Sequence, residues 1–308
     1  MALKLVTILA YITTLIIIGV VASRRMKDLR DYFAGGKRLS FLSVAFSARA
    51  TGESAWLLLG LTGMGAAVGV KAFWVVLGEV VGVSVAWLLM SRRFKRLTDR
   101  YDSITIPDYL ESRFQDNGHL LRLVSASALV VFVTIYVSAQ IDASGTAFNS
   151  FLGWNYYTGA IVGFLVVLAY ITTGGFLAVV WSDVFQGGLM FLGLVGLPII
   201  GIVVGGGVGP VLAGLKAQDP GLLSLWGPGG WSPLTIFSVL ALASIGLGFM
   251  GSPQIFVRFL ALRSENEIKR GAAVAICWTV LADSGAVLIG MIGRHLFVSP
   301  TEDLEQVL

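Results

Sequence analysis

The chain carries eight apolar runs, at residues 5–23, 41–66, 72–91, 120–149, 157–173, 183–206, 234–258 and 269–293. A hydrocarbon core about 30 Å thick is crossed by about 20 apolar residues in helical form. Backbone amides inside lipid find no water, so a crossing segment is either a helix or part of a closed barrel. Barrel strands alternate apolar and polar side chains, and these runs do not. The sequence therefore predicts an all-α polytopic membrane protein. Composition agrees, with 56% hydrophobic and 13% charged residues against about 25% charged in a soluble domain. The net charge of +4 does not indicate nucleic acid, because the basic residues lie between apolar runs and not on one polar face.

Those basic residues set an orientation. Seventeen of them, including Arg24, Arg25, Lys27, Arg92, Arg93, Lys95 and Arg258, fall on one side of the predicted spans, and only Lys4, Lys71, Lys216 and Arg294 fall on the other. The positive-inside rule places the richer side in the cytoplasm and both ends of the chain outside. In the first run the arginines follow the apolar stretch, so residues 5–23 read as a retained helix and not as a secretory leader. Cys277 lies in an apolar run, where a buried thiol is expected. His119 and His295 have no partner at metal-ligand spacing. No nucleophile stands with a base or a metal cluster, so the expectation is a protein that is not an enzyme. The connection 205–233 leaves room for a short interfacial helix. The chain ends in a polar stretch with Glu302, Asp303 and Glu305, which reads as a stop within a longer protein.

The informative residues are those that break the apolar pattern. An ionisable group at the bilayer centre costs about 2.5–3.5 kcal/mol on insertion scales. Arg49 and Glu53 lie in the second run, within SARATGESAW at Ser47 to Trp56. Their spacing puts them on one helical face, where an ion pair is one reading. Thr51, Gly52 and Ser54 weaken the helix at the same place and favour the other, a helix break against a wet cavity. The seventh run repeats the pattern with GLGFMGSP at Gly246 to Pro253, where Gly246, Gly248 and Gly251 interrupt an apolar stretch. Its GxGxxG spelling lacks the βαβ context and following acid of a dinucleotide site.

Two broken helices point to a transporter of inverted repeats, with substrate and ion bound near the bilayer midplane. The breaks lie five helices apart; if the first helix is an addition, they open two five-helix repeats, the second incomplete here. Tyr136 and Gln140 share a face and either line a cavity or bond across a helix interface. Glu79, between Gly78 and Gly82, reads as close helix packing. Asp183 either caps the start of the sixth span or stands at the inner mouth of an ion path. Asp283 has no assigned role.

Five motifs in order resemble the sodium/solute symporter family. They are DYFAGGKR at Asp31 to Arg38, the second run through WLLLG at Trp56 to Gly60, Thr134 to Tyr136, GGFLAVVWSD at Gly174 to Asp183, and Gly246 to Pro253. The resemblance implies a LeuT-type inverted-repeat core in a single transporter domain over 1–308. The extra helix is 5–23, the first repeat 41–206 and the start of the second 234–293, with the chain stopping after eight transmembrane helices. It implies Na+ as coupling ion, at Ala50, Glu53 and Asp183, and a small solute such as proline at Ser54, Trp56, Tyr136, Phe249 and Pro253. Further sodium ligands would lie beyond Leu308. Four positions depart from the family pattern: Gly52 stands where an acid is usual, with the acid at Glu53, Phe249 replaces a tyrosine, Ile245 a tryptophan and Arg49 a small residue. The function implied is sodium-coupled symport across the cytoplasmic (inner) membrane, with a solute and the lipid bilayer as partners and no nucleic acid. The rival reading is a symporter-like sensory module of a signalling protein.

Overall fold

The computed structural model describes residues 2–227 and 230–297. Glu302, Asp303 and Glu305 lie outside the described residues. Among those described, the chain is helical with no strand, and one isolated bridge pairs Leu39 with Leu262. In chain order the α-helices are α1 (Ala2–Ser23), α2 (Leu29–Ala34), α3 (Phe41–Ala55), α4 (Thr62–Val68), α5 (Phe73–Val85), α6 (Ser91–Arg100), α7 (Ile106–Phe114), α8 (Leu120–Leu152), α9 (Tyr156–Val204), α10 (Val208–Gln218), α11 (Pro233–Ser244), α12 (Pro253–Ala261) and α13 (Ile268–Leu296). Local chemistry explains several starts. Asp28, Thr105 and Ser232 each accept a backbone N–H of the first turn of α2, α7 and α11, satisfying donors that a helix start leaves open. Pro107 and Pro233 occupy first-turn positions where no donor is lost. The connection 205–233 does carry a short helix, α10.

Among the described residues six helical segments are long and apolar enough to cross a membrane: Leu3–Ser23, Phe41–Arg100, Leu120–Leu152, Tyr156–Val204, Pro233–Met250 and Glu265–Leu296. Phe41–Arg100 and Tyr156–Val204 run 60 and 49 residues, about twice what one crossing needs or more. Both are interrupted. Phe41–Arg100 breaks at Ser54 and again at Gly69, whose φ of 61° ends α4. Tyr156–Val204 breaks at Gly175 (φ 53°, ψ −154°), a region open only to glycine without strain. This corrects one expectation: residues 174–182 do not form a connection between spans but continue α9, apart from Gly175. Asp183 consequently does not cap a helix start.

The described residues form two compact units, drawn from Met1–Ser47, Ser91–Phe185 and Pro253–Ile268, and from Ala48–Met90, Gln186–Ser252 and Lys269–Leu308. In the first, Leu15 and Ala22 of α1 bury against Tyr170 and Ala178 of α9. The Nζ of Lys95 donates to Asp99 at 2.8 Å and to the Leu260 carbonyl at 3.2 Å, tying α6 to α12. Phe94 packs edge-on against Tyr109 and Phe256, at 5.1 Å in each case.

In the second unit the organising contacts are backbone to backbone. A Cβ on Gly78 would collide with the Ala243 carbonyl, one on Gly82 with the Gly246 carbonyl, and one on Gly246 with the Gly78 carbonyl. The close packing expected around Glu79 is therefore present, joining α5 to the 3-10 turn Ile245–Met250 that continues α11. With no hydrophobic drive between helices in lipid, such proximity supplies the van der Waals contact that holds them. Cys277, expected buried, is exposed on α13, because the face of α13 that packs inward carries Ala275, Trp278, Ala282 and Ala286.

Candidate functional site

Both sequence-predicted interruptions exist, and each falls beside charge. In α3 the departure from helix lies at Ser54 (φ 54°, ψ −156°), a region that costs a non-glycine residue about 1–3 kcal/mol. Thr51 and Gly52, expected as the break, keep helical conformation. The shift to Ser54 has a local cause: its hydroxyl accepts the Trp56 N–H at 3.4 Å, offering the backbone a partner that competes with the helix. From Trp56 to Leu61 the winding loosens to a π-helix, a rare form that occurs mainly as short bulges at functional sites. The second interruption runs as a 3-10 turn through Gly246 and Gly248 to Met250. It ends at Gly251, and α12 begins afresh at Pro253.

Within the second unit, Arg49, Glu53, Glu79 and Asp283 form one buried constellation, with fractional exposures of 1%, 0%, 1% and 0%. Arg49 Nη2 contacts Glu53 directly, one turn along α3, and stands 3.7 Å from Glu79 Oε2 on α5 and 3.7 Å from Asp283 Oδ2 on α13. Its guanidinium carbon lies 4.8 Å from the Phe249 ring centroid and 5.5 Å from that of Trp278. Arg49 and Glu53 pair, as the first reading of the second run expects, and the helix also breaks one residue later, at Ser54. Four ionisable groups at membrane depth would cost roughly 10–14 kcal/mol singly, which is why they are found together. One oxygen from each of the three acids lies within 4.8 Å of the others.

In the first unit, Asp183 is the centre of a different set. Its Oδ2 accepts from Ser47 Oγ and from Arg258 Nη2, both at 2.6 Å. Arg258 also donates from Nε to Ser47 Oγ and from Nη1 to the Gln254 carbonyl, again at 2.6 Å. Its guanidinium lies 5.8 Å from the Phe176 ring. Ser47 stands two residues before Arg49, and Arg258 lies on the helix that starts at Pro253. The Asp183–Arg258 ion pair therefore joins α9 to α12, and the Ser47 hydroxyl of α3 hydrogen-bonds to both partners.

Residues 32–305 match the sodium:solute symporter family. The chain belongs to that family. Among curated relatives of this symporter-family chain, the high-affinity proline transporter PutP of Bacillus subtilis is 39% identical over 280 residues, covering 91% of this chain and 58% of the relative. The osmoregulated proline transporter OpuE of the same organism is 36% identical over 301 residues, covering 96% and 60%. The sodium/proline symporter of Escherichia coli is 34% identical over 294 residues, covering 95% and 58%. The chain thus spans somewhat over half the length of these relatives. A Na+-coupled sialic acid symporter, solved substrate-bound and outward-open, has the same fold, with a TM-score of 0.79 at 18% identity over 97% of this chain and 64% of that one. A family of transporters and six apolar helical segments together make this a multi-pass membrane protein.

The structure places the expected site residues of this family member as follows. Ala50, Glu53, Ser54 and Trp56 sit in or just after the broken turn of α3, with Trp56 37% exposed and Glu53 fully buried. Phe249 lies in the 3-10 turn against Arg49. Tyr136, half-buried on α8, Pro253 at the head of α12, and Asp183 on α9 belong to the other unit. Sequence reasoning missed Glu79, read only as packing, and Asp283, given no role. It also missed Arg258, counted only as a cytoplasmic charge, and Ser47. A signal for the acids existed: an unpaired carboxylate in an apolar run demands a counter-charge, and Arg49 was the one basic residue away from the ends of a run.

Proposed function

We propose that this chain forms part of a sodium-coupled symporter that carries a small organic solute, an amino acid such as proline, across the cytoplasmic membrane by alternating access. The relatives named for proline transport support the solute class. In this reading the chain crosses the membrane eight times from an external N-terminus. The first helix, 5–23, is an addition to a LeuT-type core whose first repeat is 41–206 and whose second begins at 234–293.

The observation that carries the proposal is the interruption of α3 at Ser54. Its positive φ turns the peptide bearing the Glu53 carbonyl relative to the turn that follows. Carbonyls turned out of a membrane helix supply the several oxygens that a hard cation needs in place of water. In this reading the Ala50 and Glu53 main-chain oxygens are the sodium ligands, and Asp183 handles the ion at its own position. On the same reading Ser54, Trp56 and Phe249 are solute positions of the second unit, and Tyr136 and Pro253 carry that role in the first by resemblance to the family. Sodium entry supplies the work: a potential of 100 mV gives about 2.3 kcal/mol and a tenfold gradient about 1.4 kcal/mol more, together enough for a solute ratio of a few hundred. Coupling follows if sodium binds the solute-competent state more tightly, since a ligand shifts an equilibrium only by its differential affinity.

The test is uptake of a labelled amino-acid panel by full-length protein in vesicles, with and without an inward sodium gradient. Proline accumulation that requires sodium, and falls on Trp56→Ala or Tyr136→Ala, is expected. Uptake of every solute at equal rates with and without sodium would refute the coupling.

A further inference from the structure

Arg49 cannot balance the charge around it. Three carboxylates meet one guanidinium, and the guanidinium is committed to Glu53 by direct contact. Glu79 Oε2 and Asp283 Oδ2 stand 3.7 Å from Arg49 Nη2, beyond hydrogen-bond reach. Both oxygens of Glu53, Glu79 Oε2 and both oxygens of Asp283 are buried without a hydrogen-bond partner, as are Arg49 Nε and Nη2. Buried charges of this kind are paired or coordinate metals. These acids come from α3, α5 and α13, so the cluster is not an accident of one helix face. The close backbone contacts at Gly78 and Gly82 hold α5, and with it Glu79, firmly in place.

The spacing fits an ion. One oxygen from each acid lies within 4.8 Å of the others. Two ligands on opposite sides of a cation would be about 4.6–5.2 Å apart at the bond lengths typical of hard cations such as Ca2+. The donors are all carboxylate oxygens, which select hard cations over the softer transition metals. We infer that Glu53, Glu79 and Asp283 form a binding site for a hard inorganic cation, sodium or calcium in size, distinct from the main-chain sodium site at the α3 break. Arg49 supplies part of the charge balance. In a sodium-coupled cycle this site would hold a second ion, and only that consequence rests on the symporter reading.

The experiment measures binding of radioactive sodium and radioactive calcium to purified full-length protein, without solute and at fixed pH. The wild type is compared with Glu79→Gln, Asp283→Asn and the double variant, which keep side-chain shape and remove charge. The expected result is loss of one class of sites for one of the two ions, with affinity falling by about tenfold or more, since even groups behind the ligands are worth about 10–100-fold. Where a variant does not fold, infrared difference spectra of the wild type serve instead: addition of sodium or calcium should shift carboxylate stretching bands. Binding of both ions unchanged in folded variants, or bands that respond to pH and to neither cation, would overturn the site. Sodium-driven uptake persisting alongside that result would leave the symporter reading standing. Cation-responsive carboxylates in a protein with sodium-independent uptake would do the reverse.

Discussion

Replacing Arg49 with Met tests whether the buried charges hold one another in place. Arg49 is 1% exposed, touches Glu53, stands 3.7 Å from two further carboxylates and lies over the rings of Phe249 and Trp278. Methionine fills a similar volume beside those rings but leaves three acids without a cation. Removing one partner of a buried ion pair costs about 3–5 kcal/mol, and that is the expected loss for Arg49→Met. Glu53→Gln is milder, about 1–2 kcal/mol, because the amide oxygen still accepts from the guanidinium. In the double variant the pair is gone as a unit, so its cost should fall short of the sum of the singles by about 1–3 kcal/mol, the coupling within a charge network. The assay is reversible unfolding of the purified protein in mixed micelles, run on all four members of the cycle. A loss for Arg49→Met within about 0.5 kcal/mol, as for a surface substitution, would refute the argument. So would additivity in the double variant.

Ser54→Gly should raise stability by about 1 kcal/mol, because glycine adopts the φ of 54° without the strain serine bears there; Ser54→Val should lower it, and unfolding midpoints of the two variants decide. Gly246→Leu drives a side chain into the Gly78 carbonyl and should cost about 1–3 kcal/mol with loss of uptake. Gly248→Ala, where an added Cβ meets open space, should be tolerated in the same two assays. At the connection before α8, Glu111 accepts from His119 and from Arg122, and the hydrogen bond from His119, then that from Arg122, holds its carboxyl below the usual 4.5. A carboxylate depressed in the folded state stabilises above the unfolded value and loses that contribution as pH falls through the folded one. His119→Gln should therefore move the acid loss of amide protection around residues 111–122 to higher pH, measured by hydrogen exchange.

Much of this fold is legible in the chain because lipid leaves so few options. Long apolar runs must be helices, glycine and serine in them mark weakness, and the second interruption falls where Gly246 to Pro253 predicts it. What escapes a linear reading is any partner supplied by another helix. Residues 174–182 look like a connection because Ser182 and Asp183 are polar. Apart from Gly175 they are helical, and Asp183 is satisfied within α9 by Ser47 and Arg258, a pairing across 136 and 75 residues of chain. Glu79 reads as packing because its flanking glycines do pack, and the same contacts carry its carboxylate toward Arg49. The break in α3 moves from Thr51 and Gly52 to Ser54 because a hydroxyl that can accept the Trp56 N–H decides the matter, a detail of side-chain reach and not of helix propensity.

The coincidence of strain and charge in α3 has a physical logic. A serine held at positive φ persists only where its surroundings over-determine it, and in lipid an interrupted helix is tolerated only against protein or water. Arg49 and Glu53 supply the anchoring: their contact spans the last regular turn before Ser54 and is itself held by acids on α5 and α13. The turn ahead of the break is therefore rigid, while the π-wound segment after it is loosely wound. On the proposed function, a cation at the break would meet the Arg49–Glu53 turn on one side and the π-wound segment on the other. Binding energy can then be spent on moving Trp56 and the residues beyond it, and not on disturbing the buried charges. On that reading the two buried charges of α3, Arg49 and Glu53, stand in the turn that ends at the break, and the other two reach it from α5 and α13.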